Sequence, residues 1–150
     1  MSKCKVLSTN HVGLVVEDLD RFITIMTELF DYTVLDRGPR DRVVQAQVTN
    51  HPDPIVDIAY LQGGGFVLEV LCYSQTSGTA SYKPRPVDVG HWHLSLNIED
   101  MEMVRKEAKA YGLTEVGQMI VVNAGPNKGN KIVYLATAEG VIIELTQKRA

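Results

Sequence analysis

Four residues of this chain stand where chemistry could be done, and they come in two matched pairs. His11 opens the segment His11-Val-Gly-Leu-Val-Val-Glu-Asp18, which aligns without gaps against His93-Leu-Ser-Leu-Asn-Ile-Glu-Asp100. Glu69 lies in Gly65-Phe-Val-Leu-Glu-Val70, which matches Gly140-Val-Ile-Ile-Glu-Leu145 around Glu144. Each glutamate is surrounded in sequence by residues that belong in a core, where an unpaired ionised carboxylate is costly. An arginine, a metal ion or an edge strand facing water would each remove that cost. For one such glutamate, water is the simplest answer. Two at equivalent repeat positions, each with an equivalent histidine, point instead to a shared ligand set. Two imidazoles and two carboxylates offer nitrogen and oxygen donors without thiolate. That set suits one borderline or hard divalent cation and leaves open positions for a substrate. Zn, Ni, Co, Mn and Fe all fit that description.

The elements that must position these residues repeat as well. Each half begins with a strand of alternating side chains. Val12, Leu14 and Val16 share one face, while His11, Gly13 and Val15 share the other. A helix follows each strand. Asp18 is placed to cap the first, with Leu19, Phe22, Ile23, Met26, Leu29 and Phe30 on its buried stripe; Asp100 is placed to cap the second, with Met101, Val104, Ala108 and Tyr111 buried and Gly112 at the C-terminal turn. Strands are then expected near Thr33–Leu35, Val43–Val48, Ile55–Leu61 and Phe66–Cys72 in the first half. In the second they are expected near Glu115–Val122, Lys131–Leu135 and Val141–Thr146. The fold class is α+β: two βαβββ modules, about 6–73 and 89–147, whose sheets form a concave, partly open surface around a metal site. Residues 74–88, rich in Ser, Gly and Pro, link the modules within one domain of 150 residues.

Composition excludes several classes of function. A net charge of −3 and scattered basic residues give no footprint for nucleic acid. Met1 to Leu7 holds no apolar stretch of signal-peptide length, and no later segment approaches the roughly 20 apolar residues of a membrane span. No membrane association and a cytoplasmic location are expected. Cys4 and Cys72 are the only cysteines, so neither a disulfide framework nor a thiolate metal site is available.

These motifs resemble the vicinal oxygen chelate superfamily, which includes glyoxalase I, methylmalonyl-CoA epimerase, extradiol dioxygenases and the bleomycin- and fosfomycin-resistance proteins. The resemblance covers nearly the whole chain, including Gly129-Asn-Lys-Ile-Val-Tyr-Leu135 and Gly140-Val-Ile-Ile-Glu-Leu-Thr-Gln147. In that family the first strand of each module supplies a histidine and the last a glutamate, which maps onto His11, Glu69, His93 and Glu144. The ligand set is similar to that of glyoxalase I, and the C-terminal motif to that of the epimerase. The resemblance implies a metal-dependent isomerase or lyase that stabilises an enolate or enediolate of a small oxygenated substrate, with Glu144 or Glu69 carrying the proton. It also implies a homodimer, with the site completed in one chain or across the interface. Alternatives within the family are an iron-dependent ring-cleaving dioxygenase, an epimerase acting on a coenzyme A thioester, and an antibiotic-binding resistance protein. Glu69 counts against the epimerase, whose members typically carry glutamine there.

Around the four ligands, His91, Asn97, Lys128 and Lys131 are candidates for contacting substrate. His91 projects to the same face as His93, but the repeat register selects His93 as the ligand, leaving His91 as a polar residue at the strand entrance. Lys128 and Lys131 flank a glycine-rich hairpin that lacks the spacing of a phosphate-binding loop. Lys83 and Arg85 read as solubilising charges, His51 as a solvated loop histidine, and Asp53 as a turn residue, although Asp53 loosely matches the place of an acidic base in the epimerases.

Overall fold

The computed structural model describes residues 4–74 and 78–149. The chain divides into two compact units with the boundary between Thr79 and Ala80. That boundary falls within the expected linker, of which residues 75–77 lie outside the described residues, as does the start of the N-terminal segment, Met1 to Lys3.

The first unit comprises β1 (Val12–Val15), α1 (Leu19–Thr24), β2 (Thr33–Pro39), α2 (Arg42–Thr49), β3 (Val56–Gly63) and β4 (Phe66–Tyr73). Its sheet has the order β1-β4-β3-β2, with β1 parallel to β4 and the remaining neighbours antiparallel. The second unit comprises β5 (Leu94–Asn97), α3 (Met101–Ala108), β6 (Thr114–Val121), β7 (Lys131–Ala136) and β8 (Ile142–Gln147). Its sheet, β5-β8-β7-β6, repeats the same mixture of parallel and antiparallel pairing. The α+β class is therefore present, with the βαβββ order in the second unit and the same order interrupted by α2 in the first. Among the described residues no helix is long and apolar enough to cross a membrane.

Local chemistry explains the helices. The Asp18 carboxylate accepts from Arg21 N at 3.0 Å, and α1 buries Leu19 and Phe22. The helix then widens into a π-helical turn over Ile25–Leu29, which brings Ile25 and Met26 into the core. The widening shifts the phase of the stripe, so Ile23, Leu29 and Phe30 are only half-buried where full burial was expected. In the second unit Asp100 accepts from Glu102 N and Met103 N, both at 3.0 Å, and α3 buries Met101, Val104 and Ala108. Gly112 takes the left-handed conformation (φ 72°) just beyond the helix, and Tyr111 lies in that turn, half-buried.

One expected strand is a helix. Val43–Val48 reads as β from its valines, yet it lies in α2, because the Asp41 carboxylate caps Val44 N at 2.9 Å and Asn50 ends the helix in a left-handed conformation (φ 54°). Val43, Val44 and Val48 are 66%, 53% and 77% exposed, so no pleated surface packs against them to reward their β preference. The strand preceding this helix runs longer than expected, to Pro39, and pairs with β3 across an irregularity between Val34 and Asp36.

The sheets place the glutamates. Leu68 and Val70 on β4, and Ile143 and Leu145 on β8, are buried in the cores. Glu69 and Glu144 alternate with them and so project from the opposite faces. Both strands are internal, β4 between β1 and β3 and β8 between β5 and β7, so an edge position facing water does not account for either carboxylate.

Candidate metal centre

In the first unit the parallel register sets Gly13 beside Glu69, and the antiparallel register sets Tyr60 on its other side. His11, two residues before Gly13 and on the same face, is a diagonal neighbour. Its Nε2 lies 3.1 Å from Glu69 Oε2, and the glutamate side chain is 15% exposed. The other ring nitrogen, Nδ1, lies 2.6 Å from Asn10 Oδ1 and donates to it. A neutral imidazole so oriented turns its Nε2 lone pair towards a carboxylate oxygen. Two lone pairs repel at that distance unless a second ring proton or a cation lies between them. The Tyr60 hydroxyl donates to Glu69 Oε1, and this bond, followed by burial, raises the tyrosine pKa above its ordinary value. The Tyr60 ring also meets His11 edge-on, with centroids 5.8 Å apart.

The second unit repeats the arrangement with additions. His93 Nε2 lies 3.4 Å from Glu144 Oε2, and the carboxylate side chain is 17% exposed. Ser95 and Tyr134 flank Glu144 in register as Gly13 and Tyr60 flank Glu69. Ser95 Oγ donates to Glu144 Oε1 at 2.7 Å, Thr146 Oγ1 at 3.2 Å, and the Tyr134 hydroxyl also bonds this carboxylate. Burial first, and then the negative charge of Glu144, raise the Tyr134 pKa. The Tyr134 ring lies 5.1 Å from that of His93. Two donors sharing one cation at about 2.0–2.2 Å stand roughly 3.0–3.5 Å apart at tetrahedral or octahedral angles. Both imidazole–carboxylate separations fall in that range, so the donor chemistry and the spacing within each pair fit a divalent cation. Within each unit, among the described residues, no third His, Cys, Asp or Glu joins the pair as a metal-binding group.

The structure thus brings His11 to Glu69 and His93 to Glu144. His91 stacks on His93, with centroids 5.6 Å apart, and its Nε2 is buried without a hydrogen-bond partner among the described residues. Asn97 is exposed on β5, on the face shared by His93 and Ser95. Lys128 lies in an exposed turn, its N–H donating to Gly125 O at 3.2 Å. Lys131 begins β7 at odd spacing from Tyr134 and so lies on the other face of that strand.

Several bland readings change. Lys83 Nζ donates to Ala138 O at 3.1 Å, and Arg85 is bonded through its guanidinium to both carboxylate oxygens of Asp88, so both charges have structural partners. The Arg85 guanidinium holds the Asp88 carboxyl below the usual range. His51 is half-buried, with Nδ1 lacking a hydrogen-bond partner among the described residues, instead of being solvated. Asp53 does lie in a turn and pairs with Arg42.

The sequence reading missed Tyr60 and Tyr134. A signal was present: Ile58-Ala-Tyr-Leu61 repeats as Ile132-Val-Tyr-Leu135.

The model of the Glyoxalase/Bleomycin resistance protein/Dioxygenase superfamily matches residues 10–134. The chain belongs to this superfamily. It is 26% identical over 145 residues to a 2-epi-5-epi-valiolone epimerase from Actinomyces sp., an alignment covering 93% of this chain and 78% of the epimerase. A glyoxalase family protein from Bacillus cereus shares the fold with a TM-score of 0.84 at 23% identity, over 100% of this chain and 99% of that one. So does a variant of the fosfomycin resistance protein FosX from Listeria monocytogenes, complexed with Mn(II) and a dihydroxypropylphosphonic acid. Its TM-score is 0.63 at 13% identity, with 96% and 94% of the two chains covered. Members of the superfamily thus include enzymes, and one of these neighbours holds a divalent cation.

Proposed function

We propose that this superfamily member is a metal-dependent isomerase or lyase that moves a proton at a carbon beside a carbonyl group. The observation that carries the reading is the repeated imidazole–carboxylate pair, built twice in the same strand register with Nε2 facing Oε2 at 3.1 Å and 3.4 Å. In this reading His11, Glu69, His93 and Glu144 together hold one divalent cation (Zn, Ni, Co, Mn or Fe), within one chain or across two. When bound, that cation supplies open positions for two adjacent substrate oxygens and stabilises the charge that develops as the C–H bond breaks.

The chain's own residues do the rest. A carboxylate Oε2, on Glu69 or Glu144, takes the proton from the carbon beside the carbonyl, and the electron pair stays on the substrate as its enolate. Returning the proton to the same carbon from the opposite side inverts it; returning it to the neighbouring carbon isomerises the substrate. The Tyr60 hydroxyl on Glu69 Oε1, and the Ser95 and Thr146 hydroxyls on Glu144 Oε1, leave Oε2 of each carboxylate beside the imidazole. Asn10 fixes the ring orientation of His11, and Asn97, beyond Ser95 on the same strand face, is placed to contact substrate. The 26% identical epimerase favours inversion in a polyhydroxylated ketone over the glyoxalase I reaction as the first activity to test.

The test is solvent exchange. Polyhydroxylated cyclic ketones and α-hydroxy or α-keto thioesters are incubated with the Mn- or Co-loaded protein in deuterated water and followed by NMR. Deuterium is expected at the carbon beside the carbonyl of at least one substrate, with loss of exchange after chelation. Oxygen uptake without exchange would move the protein to the ring-cleaving dioxygenases. A protein that takes up no divalent cation would overturn the reading and favour a metal-free antibiotic binder.

A further inference from the structure

Tyr60 and Tyr134 each touch both members of a pair, ring against imidazole and hydroxyl towards the carboxylate, and the Tyr60 hydroxyl, on Glu69 Oε1, leaves Oε2 to face the imidazole. Their surroundings differ. Among the described residues Tyr60 supplies the one hydroxyl bonded to Glu69, whereas Glu144 also accepts from Ser95 and Thr146. The position in register with Glu69 that would match Ser95 is Gly13, and Leu71 stands where the second unit has Thr146. We propose that Tyr60 and Tyr134 are positioning residues of the metal centre and that they are unequal: the orientation of Glu69 depends on Tyr60 alone, while that of Glu144 is shared among three hydroxyls.

This inference rests on the proposed cation site. A partner that orients a ligand contributes about 10- to 100-fold in metal affinity. Tyr60→Phe keeps the ring beside His11 and removes only the hydroxyl, so a loss in that range follows. Tyr134→Phe leaves Ser95 and Thr146 on Glu144, and a loss below about 5-fold follows, short of the full range for a sole partner.

The experiment titrates Mn²⁺ into the wild type, Tyr60→Phe and Tyr134→Phe by calorimetry, with the visible spectrum of the Co²⁺ forms as a second readout and circular dichroism as the check on folding. Loss in Tyr60→Phe and near-wild-type affinity in Tyr134→Phe are expected. Wild-type binding with Tyr60→Phe unchanged would overturn this inference while leaving the proposed site standing. Equal losses in the two tyrosine variants would overturn the asymmetry. Should Tyr60→Phe fail to fold, the triple variant Ser95→Ala/Thr146→Val/Tyr134→Phe tests the same dependence in the second unit: it should lose about 10- to 100-fold, and no loss would refute the inference. Absence of any cation binding by the wild type would overturn the proposed function and this inference together.

Discussion

Replacing Glu144 with glutamine exchanges one carboxylate oxygen for an amide nitrogen and keeps the shape of the side chain. Glu144 Oε1 accepts from Ser95 Oγ at 2.7 Å and Thr146 Oγ1 at 3.2 Å, while Oε2 faces His93 Nε2 at 3.4 Å. The amide oxygen can keep the Ser95 and Thr146 hydrogen bonds, and the amide NH₂ can donate to the imidazole. Without a cation, then, Glu144→Gln should unfold within about 1 kcal/mol of the wild type, the scale of one exchanged hydrogen bond. With a cation the two proteins should separate. At a free ion concentration 100 times the wild-type Kd, binding adds about 2.7 kcal/mol to stability. If the amide weakens the site about 100-fold, as far as losing an orienting partner typically does, only about 0.4 kcal/mol remains at the same concentration. The difference is about 2 kcal/mol, which for a chain of 150 residues is a gap of roughly 4–8 °C in Tm. Thermal unfolding of both proteins in chelator and in Mn²⁺ measures it, and turnover on any substrate showing solvent exchange should fall about 10²-fold or more with the general base removed. A metal-dependent gap below about 2 °C would refute the ligand role of Glu144. A loss above about 2 kcal/mol in chelator would instead refute the claim that the amide keeps the Ser95 and Thr146 hydrogen bonds.

His93→Ala should abolish cation binding, while His91→Ala, which removes only a stacked ring 5.6 Å away, should weaken it less than about 10-fold; calorimetry that reversed the order would reassign the ligand. Asp88 should titrate below the usual carboxylate range by NMR and return to it in Arg85→Ala. Because its folded pKa is lowered, whatever the pair adds to stability is present at neutral pH and lost as pH falls through that lowered value. The open edges β1, β2, β5 and β6 support a homodimer, which light scattering at micromolar concentration should detect.

The repeat made much of this arrangement legible. Alternation in Val12–Val16 and Leu94–Leu96 put both histidines on the face away from the core, and the matched Asp18 and Asp100 caps placed a helix after each first strand. Legibility failed where local hydrogen bonds overrode composition. The valines of α2 favour a strand, but Asp41 and Asn50 cap a helix there. Tyr60 and Tyr134 escaped notice for another reason: an aromatic residue in a strand reads as packing, and nothing in its own segment says that a glutamate lies across from it. That fact belongs to the register between strands.

Register also explains why the two halves can differ without losing the pair. In each parallel ladder the residue two places after the histidine sits in register with the glutamate, so the strand pairing itself brings imidazole and carboxylate together, whatever that residue is. Gly13 and Ser95 occupy this place, and neither is needed to form the imidazole–carboxylate contact. The identities of that residue and of the residue two places after the glutamate, Leu71 or Thr146, instead set how many hydroxyls hold the carboxylate. Divergence of the repeat at these two positions changes how firmly the carboxylate is held while leaving its location intact. A site whose two carboxylates are held unequally has one group better anchored as a ligand and one freer to turn, a division of roles suited to holding a cation while exchanging a proton with substrate.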